Sequence, residues 1–65
     1  MSGDRDFNAG VFFAAQFIAL DHDEPTLAAE ILRQAGFDRE MAICEAARSG
    51  YEYERTKEFL DEEFK

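Results

Sequence analysis

This chain has a single cysteine, Cys44, so it cannot close an internal disulfide. Nor does it have an apolar run fit for a membrane. The longest, Val11 to Leu20, covers ten residues where a span needs roughly 20. That run could imitate the middle of a signal peptide. However, Arg5 lies between Asp4 and Asp6, so no positive leader precedes it, and "LDHDE" is not a small-residue cleavage site. A cytoplasmic protein is expected. Bases are also scarce. Seven of them face fifteen acids, a net charge of −8, which argues against direct binding of DNA, RNA or anionic membrane. The same imbalance favours a strongly positive partner, and added salt should stabilise the fold by screening self-repulsion.

Signatures of catalysis are missing as well. The chain contains no glycine-rich phosphate loop and no serine in a nucleophile elbow. His22 and Cys44 are a nominal base and nucleophile, but Cys44 falls mid-helix among apolar and alanine neighbours, where a thiol is expected to be buried and inert. "DHDE", Asp21 to Glu24, has metal-ligand residue types, yet neighbours on a loop diverge. Counted from Asp21 as a calcium loop, the sixth position holds Thr26 instead of Gly and the twelfth holds Leu32 instead of Glu. No enzyme, no metal and no cofactor is expected.

What the chain does have is aromatic residues, seven Phe and two Tyr in 65 residues. A domain this small buries only about 60% of its unfolded surface, so a dense aromatic core, self-association or both must stabilise it. Its punctuation is helical throughout, and no stretch sustains strand alternation. The expected fold is all-α: a polar, flexible N-terminus over residues 1–6 and a single helical domain over 7–65 with four short helices.

The first helix is expected from about Phe7 or Asn8 to Asp21. Val11, Phe12, Phe13, Phe17, Ile18 and Leu20 point almost all round it. Such a helix is central to the core, or keeps one face for another chain. The second starts at "DHDEPT", with Pro25 in the first turn and Asp23 or Glu24 capping or favouring the dipole. Leu27, Ala28, Ile31, Leu32 and Ala35 share its inner face, and Gly36 ends it. Asp38 should cap the third, with Phe37 stapled onto Ala42, and Gly50 should stop it. The fourth occupies roughly Glu52 to Phe64, with Tyr53, Thr56, Leu60 and Phe64 inward.

"EYERTKEFLDEEF", Glu52 to Phe64, carries six carboxylates against one Arg and one Lys. At 100° per residue, Glu54, Glu58, Asp61 and Glu62 fall within about a quarter to a third of the circumference, opposite the apolar face. A groove lined by Arg and Lys for phosphates would attract such a stripe by the same electrostatics. Asp21, Asp23 and Glu24 form a second acidic knot. Tyr51 and Tyr53 could add stacking or a hydroxyl at the edge. Arg55 and Lys57 offset part of the charge through pairs three or four residues apart.

In size, charge, the aromatic helix "FNAGVFFAAQFIAL" and the absence of catalytic residues, the chain resembles the short acidic anti-CRISPR proteins of bacteriophages. That family has no common motif. The resemblance implies a steric and electrostatic inhibitor acting in the cytoplasm of a bacterial host. It would occupy the basic surface of a CRISPR effector complex, of type I, where target DNA enters, with Glu54, Glu58, Asp61 and Glu62 standing in for phosphates.

"ILRQAGFDREMAICEAARSGYEYERTKEFLDEE" is similar to a ubiquitin-associated domain. Ala35 to Phe37 take the place of that family's Met-Gly-Phe/Tyr loop, which implies protein binding. The pattern departs at Ala35, where the ubiquitin-contacting methionine would stand, and at Thr56, where a small apolar residue is usual. A third class is a homodimeric regulatory or structural module with the first helix as interface, its exposed aromatics drawn from Phe12, Phe13 and Phe17.

Overall fold

A computed structural model describes residues 3–65 and places them in four α-helices: α1 (Gly3–Asp21), α2 (Pro25–Gln34), α3 (Arg39–Ser49) and α4 (Tyr53–Glu63). No strand occurs among the described residues, and none of their helices is long and apolar enough to cross a membrane. The all-α architecture is as the punctuation requires. Of the N-terminal segment expected to be flexible, residues 1 and 2 lie outside the described residues, while Gly3 to Asp6 belong to α1. The helix therefore begins a turn before Phe7. Asp6 in its first two turns is well placed for the helix dipole.

The α2–α3 corner is specified residue by residue. Gly36 takes φ 91°, the left-handed conformation that a side chain disfavours. This lets the Gly36 amide donate to the Arg33 carbonyl at 3.0 Å and the Phe37 amide to the Leu32 carbonyl at 2.9 Å. That pair of bonds is a Schellman ending, and its characteristic apolar contact comes from Phe37 and Leu32, both in the core. Asp38 then caps α3, its Oδ1 accepting from the Met41 amide at 2.8 Å. Asp38→Ala should cost about 1 kcal/mol, read as a lower urea midpoint at unchanged slope. An unchanged midpoint would show that water replaces the carboxylate without loss. Gly50, at φ 70°, ends α3 in the same left-handed manner.

The other two helix starts are less regular. Glu24 stands at the N-cap of α2 without a side-chain capping bond, so the expected cap there is absent, while Pro25 does open the helix. Asp23 and Glu52, each just before a helix, adopt positive φ although neither is glycine.

α1 packs chiefly on α2, and α3 chiefly on α4, so the fold is two helical hairpins pressed together. Between them lie eleven buried apolar residues, six of them alanine, which brings the helix backbones close. Phe12 and Phe37 stack at 6.0 Å between ring centroids, and Leu32, Phe59 and Leu60 complete the large side chains. Thr56 and Leu60 point inward as expected, with Tyr53 and Phe64 half-buried. Leu27 does not: the buried face of α2 centres on Ala28, Ala29 and Leu32, which leaves Leu27 at its exposed rim.

Polar fasteners join the hairpins. Gln16 of α1 is buried, and its Nε2 donates to Thr56 Oγ1 at 2.8 Å and to the Tyr51 carbonyl at 2.9 Å. Arg33 donates to the Glu63 carbonyl and lies 4.7 Å over the Phe64 ring. Arg55 donates to the Leu20 carbonyl at 3.3 Å, near the C-terminus of α1.

α1 is not a central helix. Phe12, Ala15, Gln16 and Ala19 face the core, whereas Phe7, Phe13 and Phe17 are exposed. One side of the helix is covered and the other is open. Gly10, on the open side, sits mid-helix at a cost of about 0.5–1 kcal/mol relative to alanine. A Cβ there would meet nothing within 4 Å.

Candidate partner-binding surfaces

On α4, Glu54, Glu58 and Glu62 are exposed at successive intervals of four residues, a rise of about 6 Å each. None of the three makes an ion pair among the described residues. They form one ridge because Thr56, Phe59 and Leu60 hold the opposite side of the helix against the core.

Asp61 behaves differently from its neighbours. It is half-buried, bridged by Arg39 from α3, and paired with Lys57 one turn back at 3.1 Å. The hydrogen bond from Arg39, then that from Lys57, holds its carboxyl below the ordinary value of 3.8. It stays ionised, but two cations already answer its charge. The predicted stripe of four thus consists of three free acids and one structural acid.

The second acidic knot is divided. Asp23 lies with Glu58, Glu62 and Glu63 along a groove of about 360 Å³ between the α1–α2 turn and α4, where Leu20 and Pro25 contribute apolar wall and Arg55 the base. Arg55 is itself engaged, 3.9 Å from Glu52 as well as on Leu20. Asp21 turns to the other side of α1, beside Phe13, Phe17 and Tyr51. Glu24 is exposed at the corner. His22 packs edge-on against Phe17, with 4.8 Å between centroids. Among the described residues, no three His, Cys, Asp or Glu side chains converge as a metal site would require.

The predicted aromatic contacts also sort into two groups. Phe12, at 3% exposure, is a core residue out of a partner's reach, and it supports Phe37 under the α2–α3 corner. Tyr53 is half-buried against the core. Phe13, at 63%, and Tyr51, at 54%, remain on the surface. They belong together on the α1 side rather than at the edge of the acidic ridge. Sequence reasoning missed Phe7 as a surface residue, and it missed Gln16 altogether. A lone Gln in "FFAAQFIAL" was the available sign of a buried polar fastener.

Cys44, expected in the core, is exposed on α3. That helix buries only Ala42 and Ala46, and a residue two positions from each faces away. The thiol lines a depression of about 470 Å³ with Asn8, Phe37, Met41 and Ile43, apart from both surfaces above.

Compared with known protein families, curated proteins and solved structures, the chain matches none.

Proposed function

We propose that this protein is a small acidic inhibitor that binds the basic surface of a nucleic-acid-binding protein complex through the outer face of α4. The observation that carries this is the ridge of Glu54, Glu58 and Glu62, exposed and without ion-pair partners, extended by Asp23 across the adjoining groove. The helix backbone fixes the spacing of the three side chains, so only their rotamers have to order when a phosphate-binding surface engages them. The protein acts by occupancy alone, in the bacterial cytoplasm. In line with its resemblance to anti-CRISPR proteins, the complex is a type I CRISPR effector and the blocked ligand is target DNA. Asp61 contributes less than the other acids, since Arg39 and Lys57 already neutralise it.

The test is a competition assay: target duplex binding by a type I effector complex, with wild-type protein and with the triple variant Glu54→Gln, Glu58→Gln, Glu62→Gln. All three positions are exposed, so the fold should tolerate the change. Inhibition should weaken by roughly tenfold or more at low salt, and its salt dependence should flatten. Equal inhibition by wild type and triple variant would remove the α4 ridge from the interface.

A further inference from the structure

We infer that the open face of α1 is a self-association surface, and that its occupant is the same face of a second copy of this chain. It is a separate surface from the acidic ridge and stands or falls independently of it.

α1 itself places no charge on this face for four turns, and the charges beside Phe13 and Tyr51, Glu45 and Arg48 of α3, are paired with each other at 2.8 Å. Between Asp6 and Asp21, its exposed residues are Gly10, Phe13, Ala14 and Phe17, with Phe7 at one margin and Tyr51 of the α3–α4 turn at the other. In a chain of net charge −8, so long an uncharged surface stands out. A basic partner would find only Asp6 and Asp21 at the two ends of this face, and would be drawn more strongly to the ridge of carboxylates on α4. What fits is another uncharged helix carrying both aromatic and small residues, and α1 is such a helix.

Its relief is self-complementary. Phe13 and Phe17, four residues apart, form a ridge. Gly10 and Ala14, also four apart, form the shallow groove beside it, closed on the far side by Phe7. A second copy related by a two-fold axis can lay its Phe ridge in this groove while offering its own groove to the first. That is the isologous pairing of symmetric dimers, with i±4 ridges of both helices interdigitating. Gly10 then has a reason. Within one chain, nothing approaches the space its Cβ would fill, so the destabilising glycine answers to no intrachain contact. Against a second helix, the missing side chain admits the partner's ring.

The area is that of a small interface. The four exposed aromatics are each 48–63% accessible. At about 150–250 Å² for a whole aromatic side chain, they present on the order of 400 Å² together. With Gly10 and Ala14 the footprint is about 500 Å² per partner, or about 1,000 Å² for the pair, the lower bound of a specific interface and the size of a weak dimer. A single copy has 4374 Å² of surface in all, so this footprint is a substantial share of it. The alanine-dominated core leaves these aromatics no room inside, and a second subunit is one of the ways small domains gain stability.

Sedimentation equilibrium of the full chain in 150 mM salt tests this. The expected species has twice the 7.4 kDa chain mass. Phe13→Gln with Phe17→Gln should weaken the dimer at least a hundredfold and leave the helical circular dichroism intact. Gly10→Leu is the sharper variant. It removes a helix-breaking residue and enters open space within the monomer, so thermal stability per chain should hold while the groove is filled and dimerisation lost. Association should tighten with salt, because two chains of net −8 repel. Binding through the acidic ridge should loosen instead, so the two surfaces are separable in one titration. A wild-type protein that stays monomeric at several hundred micromolar would overturn the inference and leave the face to a different protein. So would a Gly10→Leu variant that dimerises like wild type.

Discussion

Phe12→Ala should leave the protein largely unfolded, or lower its melting temperature by more than 12 °C. The ring is 3% exposed and stacks on Phe37, which itself closes the α2–α3 corner. Truncating a buried Phe costs about 3–5 kcal/mol. At roughly 0.05–0.15 kcal/mol per residue, a 65-residue domain has only about 3–10 kcal/mol in total. In a domain of this size each kcal/mol shifts the midpoint by about 4–8 °C. The internal control is the next residue. Phe13→Ala removes a ring of the same size from the surface and should hardly move the melting curve at concentrations where the chain is monomeric. Thermal melts followed by circular dichroism compare them directly. A Phe12→Ala curve within a few degrees of wild type would mean that the interior collapses onto the gap, and that the Phe12–Phe37 stack matters little.

Gln16→Leu and Thr56→Val should each cost about 1–3 kcal/mol, and the double variant clearly less than their sum. Gln16 donates two of the hydrogen bonds that span the hairpins, to Thr56 Oγ1 and to the Tyr51 carbonyl. With Leu at position 16, the buried Thr56 hydroxyl loses its donor. With Val at 56, a buried amide hydrogen of Gln16 loses its acceptor. Either way a polar group is stranded, and the stranding dominates the cost. Removing both partners strands neither of that pair, so a coupling of 0.5–3 kcal/mol should emerge from the four urea transitions. Additivity within about 0.5 kcal/mol would show that Gln16 fills space rather than fastens.

These two residues also mark what could and could not be seen in the sequence. Helix ends were legible where a residue has one conformational use: Pro25, Gly36, Asp38 and Gly50 each sit at the boundary they signal. The start of α1 was not, because Gly3 to Asp6 are polar and resemble a tail. Asp23 and Glu52 hide their turns, since left-handed geometry at an acid has no sequence sign. Burial was harder than helicity. Six aromatic or aliphatic residues point around α1, and nothing local says which side the other helices will cover. That is decided by where α2, α3 and α4 dock, which is a long-range outcome. Phe59 was left out of the inward stripe although it lies three residues from Thr56 and belongs to it. On the acidic face, the positions of Glu54, Glu58 and Glu62 follow from helical spacing alone. The capture of Asp61 by Arg39 does not, because it joins residues 22 apart through the packing of α3 on α4.

The alanines of the core have a consequence in entropy. Burying a leucine or isoleucine freezes rotamers at about 0.5–1 kcal/mol each, whereas an alanine has no side-chain rotamer to lose. Six such sites together spare an amount comparable with the whole stability of a domain this small. They bury less surface in exchange, so the interior is ordered by how close the backbones come rather than by how side chains interlock. Growth at those sites is therefore resisted everywhere at once: a methylene added to Ala28, Ala29 or Ala46, each wholly enclosed, pushes two helices apart instead of finding a vacant rotamer.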